Sequence, residues 1–140
     1  DLSPKTPAQV ASRAVSAGHV AAASFGAPAI KIRKALYDAS LLSFVTREER
    51  AFIEGEDVSG HDQNPHGWLI ESIQFLAWAL GSVGLDHLEP CQDTLASHFP
   101  RLGSDPEHFI ATSKLRPIDD LMQEADTLYM LHWRAVENHL

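Results

Sequence analysis

Hydrophobic positions along this chain recur at helical spacing. The clearest case begins at Pro117. Ile118, Leu121, Met122, Ala125, Leu128, Tyr129, His132, Trp133, Val136 and Leu140 form one stripe, and Asp119, Asp120, Gln123, Asp126, Arg134 and Glu137 form the opposite face. This predicts an amphipathic helix over 117–140. Ile32, Ala35, Leu36, Ala39 and Leu42 follow the same rule and predict a helix over 29–42. The run 67–81 differs. Leu69, Ile73, Leu76, Ala77 and Leu80 share a face, Trp68, Ser72, Phe75 and Ala79 widen it, and only Glu71, Gln74 and Trp78 occupy the remaining side. A helix apolar on most sides is normally buried. Residues 67–81 are therefore expected to form the central helix, packed by 7–25, 29–42 and 117–140, with Trp68, Phe75, Trp78, Tyr129 and Trp133 meeting where it crosses the last helix.

Start and stop signals delimit the other elements. Thr6, Pro7 and Gln9 supply an N-cap, a proline at the first helical position and the return arm of a capping box. Gly26 and Pro28 close that helix, which is rich in small residues. Thr46 and Glu49 form a second capping box, opening a short helix to about Glu54. Residues 55–67 lack periodicity and read as a loop. Glu89, Pro90 and Cys91 open a short helix to Phe99, closed by Pro100, and Asp105 with Pro106 starts another. No segment alternates as a strand does. The expected fold is all-α: a single compact domain of five to seven helices around 67–81.

Composition narrows the functional classes. With 140 residues, 44% of them hydrophobic and 21% charged, the chain is an ordinary globular domain. The formal net charge is −8, which argues against nucleic acid and against an anionic membrane surface. The charge is uneven: residues 1–45 carry five bases against two acids, and residues 46–140 six bases against seventeen acids. Such a block suits a basic protein partner or a solvated acidic surface. No apolar run is long enough to span a membrane. One cysteine, Cys91, allows no intrachain disulfide and fits the cytoplasm.

Four pieces in order carry a family resemblance: Thr46 to Ile53; Trp68 to Gly81 with Glu71, Ser72 and a Leu76-to-Gly81 ending; Glu89, Pro90 and Cys91; and Leu115, Arg116 and Pro117 leading into Glu124, Ala125 and Asp126, then Leu131, His132 and Trp133. Over roughly residues 8–140 the chain resembles the bacterial family called domain of unknown function 4272. The resemblance implies an all-helical fold and a bacterial origin, and no mechanism. Gln92 departs from the acid expected after the Pro90–Cys91 pair.

Candidate chemistry is sparse. Glu71 is a carboxylate on a helix expected to be buried, so it needs a partner, a proton or a route to solvent. Arg47, Arg50, Arg116 and His132 are the candidate partners, and a Glu71–His132 pair could move a proton. The competing reading is a structural ion pair or a solvated Glu. Trp78 shares the polar side with Glu71 and Gln74, and these three are the candidate binding residues: Trp78 is either an exposed interface anchor or covered by the N-terminal helix or a crossing neighbour. Cys91 is a lone thiol without a Cys/His signature. His61 and His66 are a weak metal pair in a loop, with no established ligand spacing around them. No phosphate loop is present and no cofactor is expected.

The sequence therefore points first to a small acidic protein-interaction module, self-associating or neutralising a basic partner such as a toxin. A small-molecule binder or enzyme using Glu71 and His132 is the alternative. A chain that begins at Asp1 also fits a scaffolding domain of a longer protein.

Overall fold

The computed structural model describes residues 5–55, 69–82, 84 and 95–139, without the side chains of residues 132, 133, 135, 136, 138 and 139. Among the described residues there are six α-helices and no strand: α1 (Pro7–Ser24), α2 (Ala29–Asp38), α3 (Arg47–Ile53), α4 (Leu69–Ala79), α5 (Glu107–Thr112) and α6 (Ile118–His139). Single 3₁₀ turns at Leu42–Phe44 and Leu95–His98 join them. None of the described helices is long and apolar enough to cross a membrane.

Local chemistry sets most boundaries. Both capping boxes form, Thr6 with Gln9 and Thr46 with Glu49, each side chain accepting from the other's backbone N–H. Gly26 lies at φ 109° beyond α1, and the Ala27 and Gly26 N–H groups donate back to the Ala22 and Ala23 carbonyls. Gly81, at φ 79°, closes α4 likewise. The helix predicted over 29–42 stops earlier, at Asp38. Ser40 adopts φ 58°, the Leu41 N–H donates to the Leu36 carbonyl at 2.8 Å, and the Ser40 N–H to Tyr37 at 3.0 Å. This is a Schellman stop with serine where glycine is usual, and Leu36 and Leu41 pack together across it. The stop hides from periodicity because Ala39 and Leu42 keep the helical spacing.

Among the described residues the centre of the fold is α1, not the 67–81 helix as expected. It packs against α2, α3, α4 and α5. Ala11, Ala14, Ser16, Ala17 and Val20 are all but inaccessible. Small side chains let neighbouring helices approach closely, so the Ala- and Ser-rich helix takes the middle while the bulkier α4 lies along one side. Two apolar clusters result. One joins Ala17 and Ala21 to Ile73, Ala77, Trp78 and Leu95; the other joins Val15 and Val20 to Ile32, Leu36, Leu41 and Ile53.

The last helix departs most from expectation. Leu121 packs on the α1–α4 cluster and Glu124 is half-buried. Yet the centre of the apolar stripe faces away: Ile118 is 58%, Met122 60% and Tyr129 63% exposed. Tyr129 therefore does not join Phe75 and Trp78, whose rings lie 5.5 Å apart. Trp68 and the Trp133 side chain lie outside the described residues.

Candidate functional site

The three binding candidates on α4 separate. Glu71 stands in the first turn of α4 and is exposed. A carboxylate there is favoured by the helix dipole and reaches water, so it needs no buried partner. Gln74 is buried, and its Oε1 has no hydrogen-bond partner among the described residues. Trp78 is only 8% exposed and belongs to the α1–α4 cluster, so it is covered and not an exposed anchor. Its outer cover is Arg116, whose guanidinium carbon lies 5.1 Å from the ring centroid. The Arg116 Nε donates to the Trp78 carbonyl and the Arg116 N–H to the Ala79 carbonyl at 2.8 Å. One arginine thus stacks on the indole and satisfies two carbonyls at the end of α4, where a cation is also favoured.

None of the arginines proposed for Glu71 is shown meeting it. Arg116 serves Trp78, and Arg50 pairs with Glu54 at 3.2 Å. His132 lies on α6, its side chain outside the described residues, so a Glu71–His132 pair has only an exposed carboxylate behind it. His61, His66 and Cys91 also fall outside the described residues. Among those described, no group of His, Cys, Asp and Glu is arranged to hold a metal ion.

The buried carboxylate is Glu49. Its side chain is 4% exposed and receives Arg13 bidentately, at 2.7 and 2.9 Å. Arg13 also donates to the Phe44 carbonyl at 2.9 Å, and Glu49 closes the capping box on the Thr46 N–H at 2.9 Å. Burial alone would raise the Glu49 carboxyl. The Arg13 and Thr46 hydrogen bonds and the Arg13 charge outweigh it, and the net pKa lies below the ordinary value. The capping box is legible in the sequence. Its burial is not, because the deciding partner lies thirty-six residues away on α1.

Beside the α1–α4 contact opens a cavity of about 980 Å³, walled by Gly18 and Ala21, by Ile70 and Ile73, and by Phe99 and Leu102. His19 lines it and is buried. Its Nδ1 lies 2.9 Å from the Val15 carbonyl, so that nitrogen carries the proton and donates. The unprotonated Nε2 then accepts from the Gly103 N–H at a long 3.4 Å. Burial holds the His19 pKa below its ordinary value, and the Val15 bond offsets this only partly. The cavity wall therefore carries a neutral imidazole whose two nitrogens are both engaged, Nδ1 with Val15 and Nε2 with Gly103. In the sequence His19 is one of several scattered histidines; the available signal is its place among the small residues of α1.

The remaining feature is α6. Ile118, Met122, Ala125 and Tyr129 succeed one another at i, i+4, i+7 and i+11 and are all exposed. Asp119 and Asp126 flank them, also exposed.

A family model described as domain of unknown function (DUF4272) matches residues 1–140. The chain belongs to the DUF4272 family. No curated protein and no solved structure matches the chain. The family assignment gives no residue of the DUF4272 chain a role. Its chemistry rests on the features above: a carbonyl-capping Arg116 on Trp78, a buried Arg13–Glu49 pair, a cavity walled by His19, and an exposed apolar ridge with an acidic edge on α6.

Proposed function

We propose that this chain is a protein-interaction module that docks partners on α6. The observation that carries the reading is the exposed ridge of Ile118, Met122 and Tyr129 beside Asp119 and Asp126. Single exposed apolar residues are ordinary, but a row on one helical face is what helix-in-groove recognition uses. The acidic edge favours a partner with basic groups around an apolar strip, steering encounter and fixing orientation. A basic toxin neutralised by an immunity-type protein is one such partner. The family resemblance and the single cysteine support a bacterial, cytoplasmic setting.

The test is a photo-cross-linking residue placed at Met122, with the exposed Glu48 of α3 as the control, in cells of the source organism. Cross-links from Met122 and none from Glu48 are expected. Equal or absent cross-linking from both sites removes the reading.

A second reading has its own observation. The cavity beside His19 has the size and apolar lining of a small-molecule site. It would take an apolar ligand held by burial against Ile70, Ile73 and Phe99. Glu71 does not line it, so a binding role moves from the Glu71–His132 pair to this apolar wall. Quenching of tryptophan emission by apolar ligands in wild type, lost in a Gly18→Phe variant that fills the cavity, would support it.

A further inference from the structure

We infer that the partner of α6 is α2 of a second copy of this chain; this rests on the interaction reading of α6 and names its occupant. The outward face of α2 carries the complementary surface. Ile30 is 68% and Tyr37 72% exposed, at i and i+7 on one side of the helix. Lys34 lies between them, exposed and paired to Asp38 at 2.7 Å, and Lys31 lies beside them, also exposed. The helix as a whole holds Lys31, Arg33 and Lys34 against Asp38. On α6 the signs reverse, with Asp119, Asp120, Glu124, Asp126 and Glu137 against Arg134.

Charge selects among the ways two copies could cover these faces. Pairing α6 with α6 aligns two acidic edges, and pairing α2 with α2 aligns two basic ones. Like charges set side by side in an interface are unfavourable. Crossing α2 of one copy with α6 of the other brings Lys31 and Lys34 to Asp119 and Asp126 while Ile30 and Tyr37 meet Ile118 and Met122. The uneven charge of the sequence, basic before residue 46 and acidic after it, thereby becomes a self-complementary arrangement. If the contact is made reciprocally it closes a two-fold dimer with each ridge used once.

The experiment is sedimentation of the full chain over a concentration series at low and high salt, with two charge-reversed variants. One is Lys31→Glu with Lys34→Glu; the other is Asp119→Lys with Asp126→Lys. All four positions are exposed, and circular dichroism checks that both variants stay helical. Wild type should self-associate, about tenfold more weakly at ~0.5 M salt, where screening acts within a few ångströms. Each variant alone should lose association by tenfold or more, and an equimolar mixture of the two should recover it, because reversed α2 then faces reversed α6. A monomeric wild type, an α2 variant that still associates, or a mixture that stays monomeric overturns the inference. Cross-links from Met122 to a different protein, with a monomeric wild type, sink this inference and leave the interaction reading standing. Absence of any Met122 cross-link sinks both.

Discussion

Replacing Arg13 by Met leaves the Glu49 carboxylate buried without its cation. Arg13 makes three hydrogen bonds, two to Glu49 and one to the Phe44 carbonyl, and only the Thr46 N–H and hydroxyl contacts of the capping box remain to Glu49 afterwards. Breaking a buried pair from one side costs about 3–5 kcal/mol. The Arg13 side chain is itself part-exposed, so water can partly replace it and the lower end applies, about 3 kcal/mol. For a chain of this size that is a fall in melting temperature of roughly 10 °C. Urea unfolding followed by circular dichroism at pH 7 measures it directly. The pH dependence supplies the independent check. In wild type the folded Glu49 pKa is depressed, so its contribution is fully present above the unfolded value and is lost as pH falls below about 4. In Arg13→Met, burial acts with less opposition and raises the carboxyl, so protonation relieves the penalty. The gap between wild type and variant should therefore narrow from pH 7 to pH 4. Adding Glu49→Gln to Arg13→Met should restore about 1–2 kcal/mol, as an uncharged side chain is cheaper to bury unpaired. A gap under about 1 kcal/mol at pH 7, or one that does not change with pH, would refute the assignment of Glu49 as a buried, arginine-held carboxylate.

Ser40→Gly should stabilise the chain by about 0.5–1 kcal/mol, since φ 58° strains a residue with a Cβ; a loss on urea unfolding contradicts the left-handed stop. His19 has a depressed folded pKa, so its share of stability is complete above about pH 6.5 and falls as acid is added below that value. His19→Gln should flatten the stability profile just below pH 6.5, and an unchanged profile there assigns the slope elsewhere. Arg116→Ala removes a charged donor to the Trp78 carbonyl and the cation over the indole, a loss of about 2 kcal/mol with a red-shifted tryptophan emission. Arg116→Lys, which keeps the charge but not the planar fork, should recover less than half of it.

Legibility divides by the range of the interaction. The two capping boxes, the glycine stop of α1 and the all-α class follow from residues within one helical turn of each other, and all can be read in the chain. The end of α2 fails because its left-handed residue is Ser40, which carries no glycine signal. The centre of the fold fails for a different reason. Hydrophobic content ranks 67–81 first, but centrality depends on how closely neighbours can approach, and the small residues of α1 decide that. The buried acid is hidden from local pattern for the same reason. Glu71 lies on the most apolar helix yet sits in its exposed first turn, while Glu49 lies on a polar-looking helix and is buried by contact with α1. Burial of a charge is a property of where a helix packs, and the partner that allows it, Arg13, is invisible to local spacing.

The last helix carries that distinction into function. Its period establishes that one face is apolar; it does not establish that this chain covers that face. In the structure the body takes Leu121 and the half-buried Glu124, a side of the helix well away from the stripe centre. Had the stripe been turned inward, Ile118 and Met122 would each contribute about 1.5–3 kcal/mol by leaving water. Both are a little under two-thirds exposed, so the larger part of that gain is still available to whatever covers them. An apolar pair as exposed as Ile118 and Met122, flanked by one sign of charge, has a stronger thermodynamic claim to a partner than Trp78 did on sequence grounds, because Trp78 already has its cover in Arg116. The exposed face of α2 carries the opposite charge and its own apolar pair, Ile30 and Tyr37, so the chain itself supplies a surface able to collect that gain.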